Sequence, residues 1–431
     1  MNQRRRASIL LFGGDIALLY AALWLTLTVR YGTAERGLWE LHLAPFSIIF
    51  AILLLSFFIA GLYDPRVMAP ERRHFALFAL TFLVGGIAGI FIFYLIPAWK
   101  ITPRLNLFIH LALSSFLLFC WHWFISLALV RKTKIHVWYG AHETPEHREL
   151  NTFLAEHPQL GFERAATPNE ADVIVTSSDI YHNHALQKEL FLLLPRPRFI
   201  EFPAFYESVT GKIPVSLISE IWFLENIAGK EKRLFEAIKR GVDIFGALAL
   251  GGMGVLLFSL LACLIKIETR GPVFIRQRRV GKNGRVFTLF KLRSMIASGP
   301  GGLAEENGAR WAREHDTRIT RVGAFLRKTR MDELPQIWNV LKGEMSFVGP
   351  RPERPEFVET LKKTIPFYDI RHMARPGLSG WAQINFPYGA SARDALEKLR
   401  YDLYYLKHRS FLLDLAIILK TLKVLVSRGG R

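Results

Sequence analysis

One apolar run in the interior of this chain, residues 241–265, has basic residues at both ends: Lys239 and Arg240 before it, Lys266 after it. Roughly 20 apolar residues suffice to cross a bilayer, so the run is long enough to span. Basic flanks, however, favour the cytoplasmic side for each end. A hydrophobic hairpin that enters the membrane and returns meets both conditions. The sequence therefore predicts a re-entrant helix over 241–265, with the following soluble part held against the membrane surface.

Four further apolar runs open the chain, at residues 7–29, 43–62, 75–96 and 105–130. Each is about the length of a spanning helix. Arg4, Arg5 and Arg6 precede the first run like the basic end of a signal segment, but no small-residue cleavage site follows, so it reads as an uncleaved anchor. The side holding the N-terminus carries Arg4, Arg5, Arg6, Arg66, Arg72, Arg73, Arg131, Lys132 and Lys134; the other side has Arg30, Arg36, Lys100 and Arg104. That excess puts the N-terminus inside and, after four crossings, the rest of the chain inside too. Asp15, in the first run, would either pair within the bundle or mark a functional intramembrane charge.

Apolar residues make up 51% of the chain while charged ones still reach 22%, so the two kinds must lie in separate blocks. This is the texture of membrane plus cytosol. A net charge of +19 suits phosphorylated substrates, anionic headgroups or nucleic acid. Nucleic acid is set aside, because the opening spans fix the chain at a bilayer. Cys120 and Cys263 both fall in apolar runs and are expected to be buried, reduced thiols with neither disulfide nor metal-ligand spacing.

Three domains are expected: a four-helix transmembrane bundle over 1–132, a small α/β domain over 133–228, and a mostly helical α+β domain over 229–431. Ile135-His136-Val137-Trp138-Tyr139 reads as a strand and Ala171 to Thr176 as another, with a helix between them capped by Thr144, opened by Pro145 and running to about Glu156. Such alternation implies a small parallel sheet. Gly140-Ala141-His142-Glu143 is not the glycine loop that cradles a dinucleotide, so the domain is a degenerate Rossmann-like one. Residues 198–224 read as a connector and the glycine-rich stretch 298–308 as a loop. An apolar stretch at 411–426, interrupted by Asp414, Lys420 and Lys423, would lie along the membrane interface or pack as a core helix.

Within the third domain Asp332-Glu333 follows Arg327, Lys328 and Arg330, and precedes Leu334-Pro335 and a helical pattern. Pro335 suits a first helical turn, which would place the carboxylates where the helix dipole favours negative charge. An acidic helix cap is one reading. The surrounding bases suggest another, since Arg351, held between Pro350 and Pro352, is an oriented fork for phosphate oxygens. Phosphoryl transfer needs positive charge around the moving group and an in-line nucleophile. A carboxylate can serve as that nucleophile, and a second can hold Mg²⁺. Lys291, Arg293, Arg327 and Arg351 would offset the donor's charge. The motifs of zinc hydrolases, serine esterases and P-loop enzymes do not occur.

From Lys230 to Val426 the chain resembles the bacterial sugar transferases, the monotopic polyprenyl-phosphate phosphoglycosyltransferases. The resemblance rests on Gly271-Pro272-Val273-Phe274, Arg279-Val280-Gly281, Phe290-Lys291-Leu292-Arg293-Ser294-Met295, Asp332-Glu333-Leu334-Pro335-Gln336 and Asn339-Val340-Leu341-Lys342-Gly343. It continues through Met345 to Pro352 and Pro376 to Gln383. The layout is similar to the large members that initiate exopolysaccharide or O-antigen assembly. The resemblance implies a ping-pong transfer in which Asp332 attacks the β-phosphate of a UDP-sugar, UDP-glucose or UDP-galactose with an N-acetylated sugar left open, and releases UMP. Undecaprenyl phosphate then collects the sugar-1-phosphate. It implies Glu333 as the Mg²⁺ partner and Lys291, Arg293, Arg327 and Arg351 as phosphate-binding residues. Pro376, Gly377 and Gln383 fall to the nucleotide side. The implied partners are the donor, the lipid acceptor and the bilayer, with a homo-oligomer left open, and the implied location is the bacterial inner membrane with the catalytic domain cytoplasmic. One departure stands out: family members usually break the membrane helix with a Ser-Pro pair, whereas this chain has Gly251-Gly252-Met253-Gly254 and no proline. A different class of reading, a catalytically silent membrane scaffold recruiting polysaccharide-assembly partners, stays open.

Overall fold

In the structure, a computed structural model that describes residues 2–32, 35–63, 72–95, 104–130, 134–140, 144–176, 183–194, 197–228, 233–296, 318–386, 389 and 391–428, the opening apolar runs are four helices. They are α1 (Asn2–Tyr31), α2 (Arg36–Ala60), α3 (Arg72–Leu95) and α4 (Arg104–Val130), each long and apolar enough to cross a membrane. Leu19, Leu23, Phe46, Ile49, Leu53 and Phe57 form their shared core, while Leu80, Phe91, Phe108 and Phe116 face outward. Apolar residues on both sides of a helix are what a lipid solvent permits. Helix α1 lies close to α4, since a Cβ on Gly14 would stand 2.3 Å from the Trp121 ring. Asp15 pairs within the bundle: it accepts from the Tyr63 hydroxyl at 2.7 Å and from His122 Nε2 at 3.1 Å. Of the two cysteines, both expected to be buried, neither is. Cys120 and Cys263 are exposed on apolar helix faces and form no disulfide.

The chain then builds a four-stranded, all-parallel sheet in the order β2-β1-β3-β4, from β1 (Ile135–Tyr139), β2 (Phe162–Arg164), β3 (Val173–Thr176) and β4 (Arg198–Glu201). Its central strand β3 buries Val173, Ile174 and Val175 in succession, as strands covered on both faces do. Helix α5 (Pro145–Glu156) starts as the sequence predicts, with the Thr144 side chain accepting from His147 N and Pro145 at the first position. Helix α6 (His184–Leu192) leads to β4. The expected connector at 198–224 is corrected here. Its first four residues pair with β3, and Phe202–Thr210 forms helix α7. A four-residue edge strand between Pro197 and Pro203 leaves almost no pattern to read.

Two compact units divide the chain, Met1–Phe205 and Tyr206–Arg431. The second therefore begins about two dozen residues before the expected boundary at 229. The reason is burial: Ile213, Val215, Phe223 and Ile227 share one core with Val358, Leu361, Leu399 and Leu403. Trp381 Nε1 also donates to Gly211 O at 3.0 Å.

The internal apolar run lies on α8 (Arg233–Glu268), whose halves Arg233–Gly252 and Leu257–Glu268 meet at 61°. Without a proline to impose the bend, anchors on each half account for it. On the first half, Asp243 accepts from Ser346 Oγ at 3.0 Å and Phe347 N at 3.1 Å, Arg240 donates to Val340 O and Leu341 O, and Lys239 pairs with Asp414. On the second half, Leu261 and Ile265 pack against Leu292 and Leu326. Phe245, Leu248 and Ile267 stay exposed. The C-terminal helix (Phe411–Arg428) packs as a core helix on one face, where Asp414 and Ile417 are buried, while Leu412 and Leu415 are exposed. The stretch 298–308 lies outside the described residues.

Candidate active site

The first wall of the site is the antiparallel pair β5 (Phe274–Val280) and β6 (Val286–Leu292), with Val280 opposite Val286 across a turn where Asn283 and Gly284 take positive φ. Strand β6 delivers Lys291. The second wall is α9 (Arg321–Thr329), whose first turn is held by the Thr320 side chain, accepting from Gly323 N, and by Glu268, accepting from Arg321 N and Val322 N. Arg330 then adopts φ 58°, a left-handed conformation uncommon outside glycine, and reverses the chain into a 3-10 turn, Met331–Glu333. Pro335 stands at the start of α10 (Gln336–Lys342) as the sequence predicts. Buried Asn339 pins α10 to β6: it accepts from Phe290 N at 3.2 Å and donates to Thr288 O at 2.7 Å, next to Lys291.

The third wall is a short parallel pair, β7 (Ser346–Val348) and β8 (Gly377–Ser379). Backbone meets backbone here, because a Cβ on Gly377 would lie 2.1 Å from Gly349 N, and one on Gly349 would lie 2.2 Å from Arg375 O. Gly377 N donates to Pro350 O at 2.9 Å. The strands thus set where Pro350-Arg351-Pro352 leaves the sheet, with proline restricting the backbone at and before each ring.

These walls converge on Glu333. Its Oε1 accepts from Arg351 at 2.9 Å and lies 3.4 Å from Lys291 Nζ and 3.5 Å from Arg330. Burial alone would push its carboxyl up, but Arg351 and Lys291 outweigh that and hold it well below the usual carboxylate range. Asp332 is the opposite case. It is 8% exposed, its Oδ1 has no hydrogen-bond partner, and burial together with the charge of Glu333 raises it above an ordinary aspartate, against the pull of Lys291 and Arg330. Burial lowers the Lys291 ammonium, which Glu333 partly restores. One carboxylate is therefore locked and charge-neutralised; its neighbour, set among cations, keeps an Oδ1 with no hydrogen-bond partner among the described residues. An unpaired buried carboxylate oxygen within a cationic ring can act as a nucleophile toward an electrophile whose negative charge those cations accept.

Of the residues expected at this site, Lys291, Arg351, Asp332 and Glu333 are brought together. Arg327, in the last turn of α9, bears on Asp332 electrostatically. Pro376 lines a cleft with Arg351, Pro352 and Arg371. Gly377 acts through backbone packing, and Gln383 Nε2 donates to Leu378 O at 3.0 Å, bracing β8. Arg293 is placed elsewhere. It is 2% exposed, and its guanidinium donates to Arg270 O and Thr269 O at 2.7 Å each, holding the carbonyl end of α8. Two residues not singled out belong to the site: Arg330, visible only as one base in a basic run, and Arg279, which donates to Pro352 O at 3.2 Å and lies 3.9 Å from Glu353.

No group of three or more His, Cys, Asp or Glu residues able to hold a metal ion occurs among the described residues. The Asp332-Glu333 pair fits a Mg²⁺ only of the kind that takes most of its ligands from phosphate and water, as Mg²⁺ usually does at phosphoryl-transfer sites. Among the described residues the cations meet Glu333 at Oε1, which leaves its Oε2 as the oxygen for it.

A family model described as bacterial sugar transferase matches residues 234–428. The chain is 43% identical over 230 residues to a UDP-N-acetylgalactosamine-undecaprenyl-phosphate N-acetylgalactosaminephosphotransferase of Aeromonas hydrophila, covering 52% of this chain and 51% of that one. It is 43% identical over 180 residues to a UDP-glucose:undecaprenyl-phosphate glucose-1-phosphate transferase of Xanthomonas campestris pv. campestris, 41% of this chain and 36% of that one. With the exopolysaccharide production protein PSS of Rhizobium leguminosarum bv. phaseoli it shares 38% identity over 197 residues, 44% of this chain and 96% of that one. The chain thus matches about half the length of the first of these and over a third of the second, but nearly all of the third. Covering 96% of the Rhizobium relative at 38% identity, and carrying the family's motifs on three walls around one carboxylate pair, the chain belongs to the bacterial sugar transferase family.

Proposed function

We propose that the chain transfers a sugar-1-phosphate from a UDP-sugar to undecaprenyl phosphate and so begins the assembly of an exopolysaccharide or related glycan. One observation carries the reading: three cations meet on Glu333 while the adjacent Asp332 keeps an unpaired oxygen. In the first half-reaction Asp332 Oδ1 attacks the β-phosphorus. The new bond is an acyl phosphate, the α,β-bridging P–O bond breaks, and UMP leaves with that bond's electrons. In the second, a phosphate oxygen of undecaprenyl phosphate attacks the same phosphorus. The Asp332–phosphorus bond breaks, the carboxylate is regenerated, and a diphosphate-linked lipid is released. Arg351, Lys291 and Arg330 receive the charge that develops on the phosphoryl oxygens. Mg²⁺, held by Glu333 together with donor phosphates and water, would supply further neutralisation.

The chemistry needs a soluble donor and a lipid acceptor at one place. The bent α8, with apolar residues exposed on both halves, supports a re-entrant hairpin in the cytoplasmic leaflet, and the basic flanks support a cytoplasmic site. The parallel sheet over 135–201 is read as a Rossmann-like module with no nucleotide role assigned. UDP-glucose and UDP-galactose remain the expected donors, and the Aeromonas relative's name adds N-acetylated ones to the panel.

The direct test is UMP release from membranes holding the protein, given a panel of UDP-sugars and undecaprenyl phosphate. Asp332→Asn is expected to lower the rate at least a thousandfold, about 4 kcal/mol in barrier. It should leave the melting temperature equal or higher, because a buried carboxylate whose pKa is raised destabilises the fold when ionised. Release of UMP by this variant at the wild-type rate would remove Asp332 from the mechanism.

A further inference from the structure

Glu353 follows Arg351 by two residues, so their Cα atoms are no more than about 7 Å apart. Glu353 lines a shallow cleft, open to solvent, together with Tyr368, Arg371, Ser391 and Lys398 over an apolar floor at Leu361. The cleft is built rather than incidental. Arg371 is buried, donates to the Tyr368 hydroxyl at 2.6 Å and to Arg351 O at 3.0 Å, and pairs with Asp402 at 2.8 Å. One guanidinium thereby ties the cleft wall to the backbone of the arginine that reaches Glu333.

The lining selects a class of ligand. A carboxylate at Glu353 discourages a phosphate, while an apolar ligand would strand Glu353 and Lys398. A neutral polyol answers both, donating to the carboxylate and accepting from an ammonium that spends one of its three protons on Gly389 O at 2.9 Å. The enclosed space is only about 20 Å³, so the cleft meets one hydroxyl-bearing edge of a ring and leaves the rest of a nucleotide outside. A nucleobase is disfavoured because the aromatic ring of the lining, Tyr368, has its face covered by Arg371 at 5.2 Å. In a sugar nucleotide the ring is joined to the β-phosphate through a single oxygen, so a donor gripped at Arg351 would hold its sugar beside Glu353.

We propose that the sugar ring of the donor lies with its hydroxyl edge against this cleft, and that Glu353 and Lys398 read those hydroxyls and set which sugar is accepted. The proposal rests on the phosphosugar-transfer reading above and adds to it the residues of donor choice. Arg351 serves the phosphate; Glu353 and Lys398 serve the hydroxyls.

The test uses the full-length protein in membranes, as wild type, Glu353→Gln and Lys398→Met. UMP release is measured with UDP-glucose, UDP-galactose and their N-acetylated counterparts. Both variants are expected to raise KM for the preferred donor by roughly 10- to 100-fold, the range for losing a charge-assisted hydrogen bond, with kcat changed far less. Preference over the epimer at C4 should shrink by at least tenfold, while inhibition by UMP and the melting temperature stay as in wild type. An equal loss on every donor, with the epimer ratio intact, would overturn the proposal. Weakened inhibition by UMP would overturn it too, by giving the cleft to the nucleoside. Should Glu353→Gln fail to fold for want of its contact with Arg279, an unchanged epimer ratio in Lys398→Met is decisive against it. A wild-type protein that releases UMP from no sugar nucleotide defeats the functional reading itself, a result distinct from active variants that keep their preference.

Discussion

Glu333 and Arg293 are both buried charges on family motifs, yet they answer to different physics. Glu333 stands among cations, and its depressed carboxyl pKa is a statement about stability. The stabilisation is fully present above its ordinary value of 4.5 and is lost only as pH falls below that toward the folded-state value. Glu333→Gln is therefore expected to unfold more easily by about 2–4 kcal/mol at neutral pH, since it leaves Lys291 and Arg351 without their counter-charge. The gap to wild type should hold steady above pH 5 and close on acidification below 4.5. Thermal denaturation in detergent over that range checks it, and a gap independent of pH would count against the ion-pair account. The Arg293 guanidinium instead donates to the carbonyls of Thr269 and Arg270, just past the end of α8. Arg293→Met should lower the melting temperature by several degrees, about 2–3 kcal/mol for orphaned carbonyls, with KM for the donor unchanged. A rise in KM at constant stability would restore it to the phosphate site. The Asp332-Glu333 pair could be read from the chain because its partners lie in the same strings. Arg293 could not be told from Lys291, two residues away, because the chain leaves β6 between them and the next amide, Arg293 N, turns to Val273 O.

Elements with a strong period were legible, and those defined by close approach were not. The apolar runs announced four spanning helices and the fifth, bent one; Thr144-Pro145 announced α5. Strand β4 and the pair β7–β8, three or four residues each, carry too few alternations to register, and β7–β8 exists because two glycine backbones can touch. That contact fixes the loop bearing Arg351. Gly377→Ala would drive a methyl to 2.1 Å from Gly349 N, where backbone must move, and overpacking of this kind destabilises by about 1–3 kcal/mol. The expected result is a loss of UMP release exceeding tenfold, larger than the stability change alone would cause, because Arg351 is displaced from Glu333. Wild-type rates in the variant would show that the strand pair does not set the arginine. The bend in α8 follows the same logic. Glycines only permit it, at about 1 kcal/mol each relative to alanine, whereas Asp243, Arg240 and the Leu261–Leu326 cluster hold its two halves in different directions.

At the scale of the whole molecule the chemistry is confined to one compact unit, which opens a way to separate an enzyme from a scaffold. The Rhizobium relative is matched over nearly its full length by 197 residues of this chain, so a family member can be little more than this unit. The unit begins at Tyr206, and its first two dozen residues bury Ile213, Val215, Phe223 and Ile227 against Val358, Leu361, Leu399 and Leu403. Each such side chain contributes about 1.5–3 kcal/mol when fully buried, so together they rival the 5–15 kcal/mol that separates a folded domain from its unfolded chain. Two truncations follow. A chain starting at Tyr206 is expected to stay in the membrane fraction through α8 and to release UMP from its donor at a rate within about tenfold of full length. One starting at residue 229, where composition alone suggested the boundary, should be degraded or aggregated, because its exposed core face has lost its cover. Comparable expression and turnover by both would show that residues 206–228 are a linker after all. Loss of turnover by the longer truncation, folded and membrane-bound, would instead make the opening helices and parallel sheet part of the catalytic apparatus.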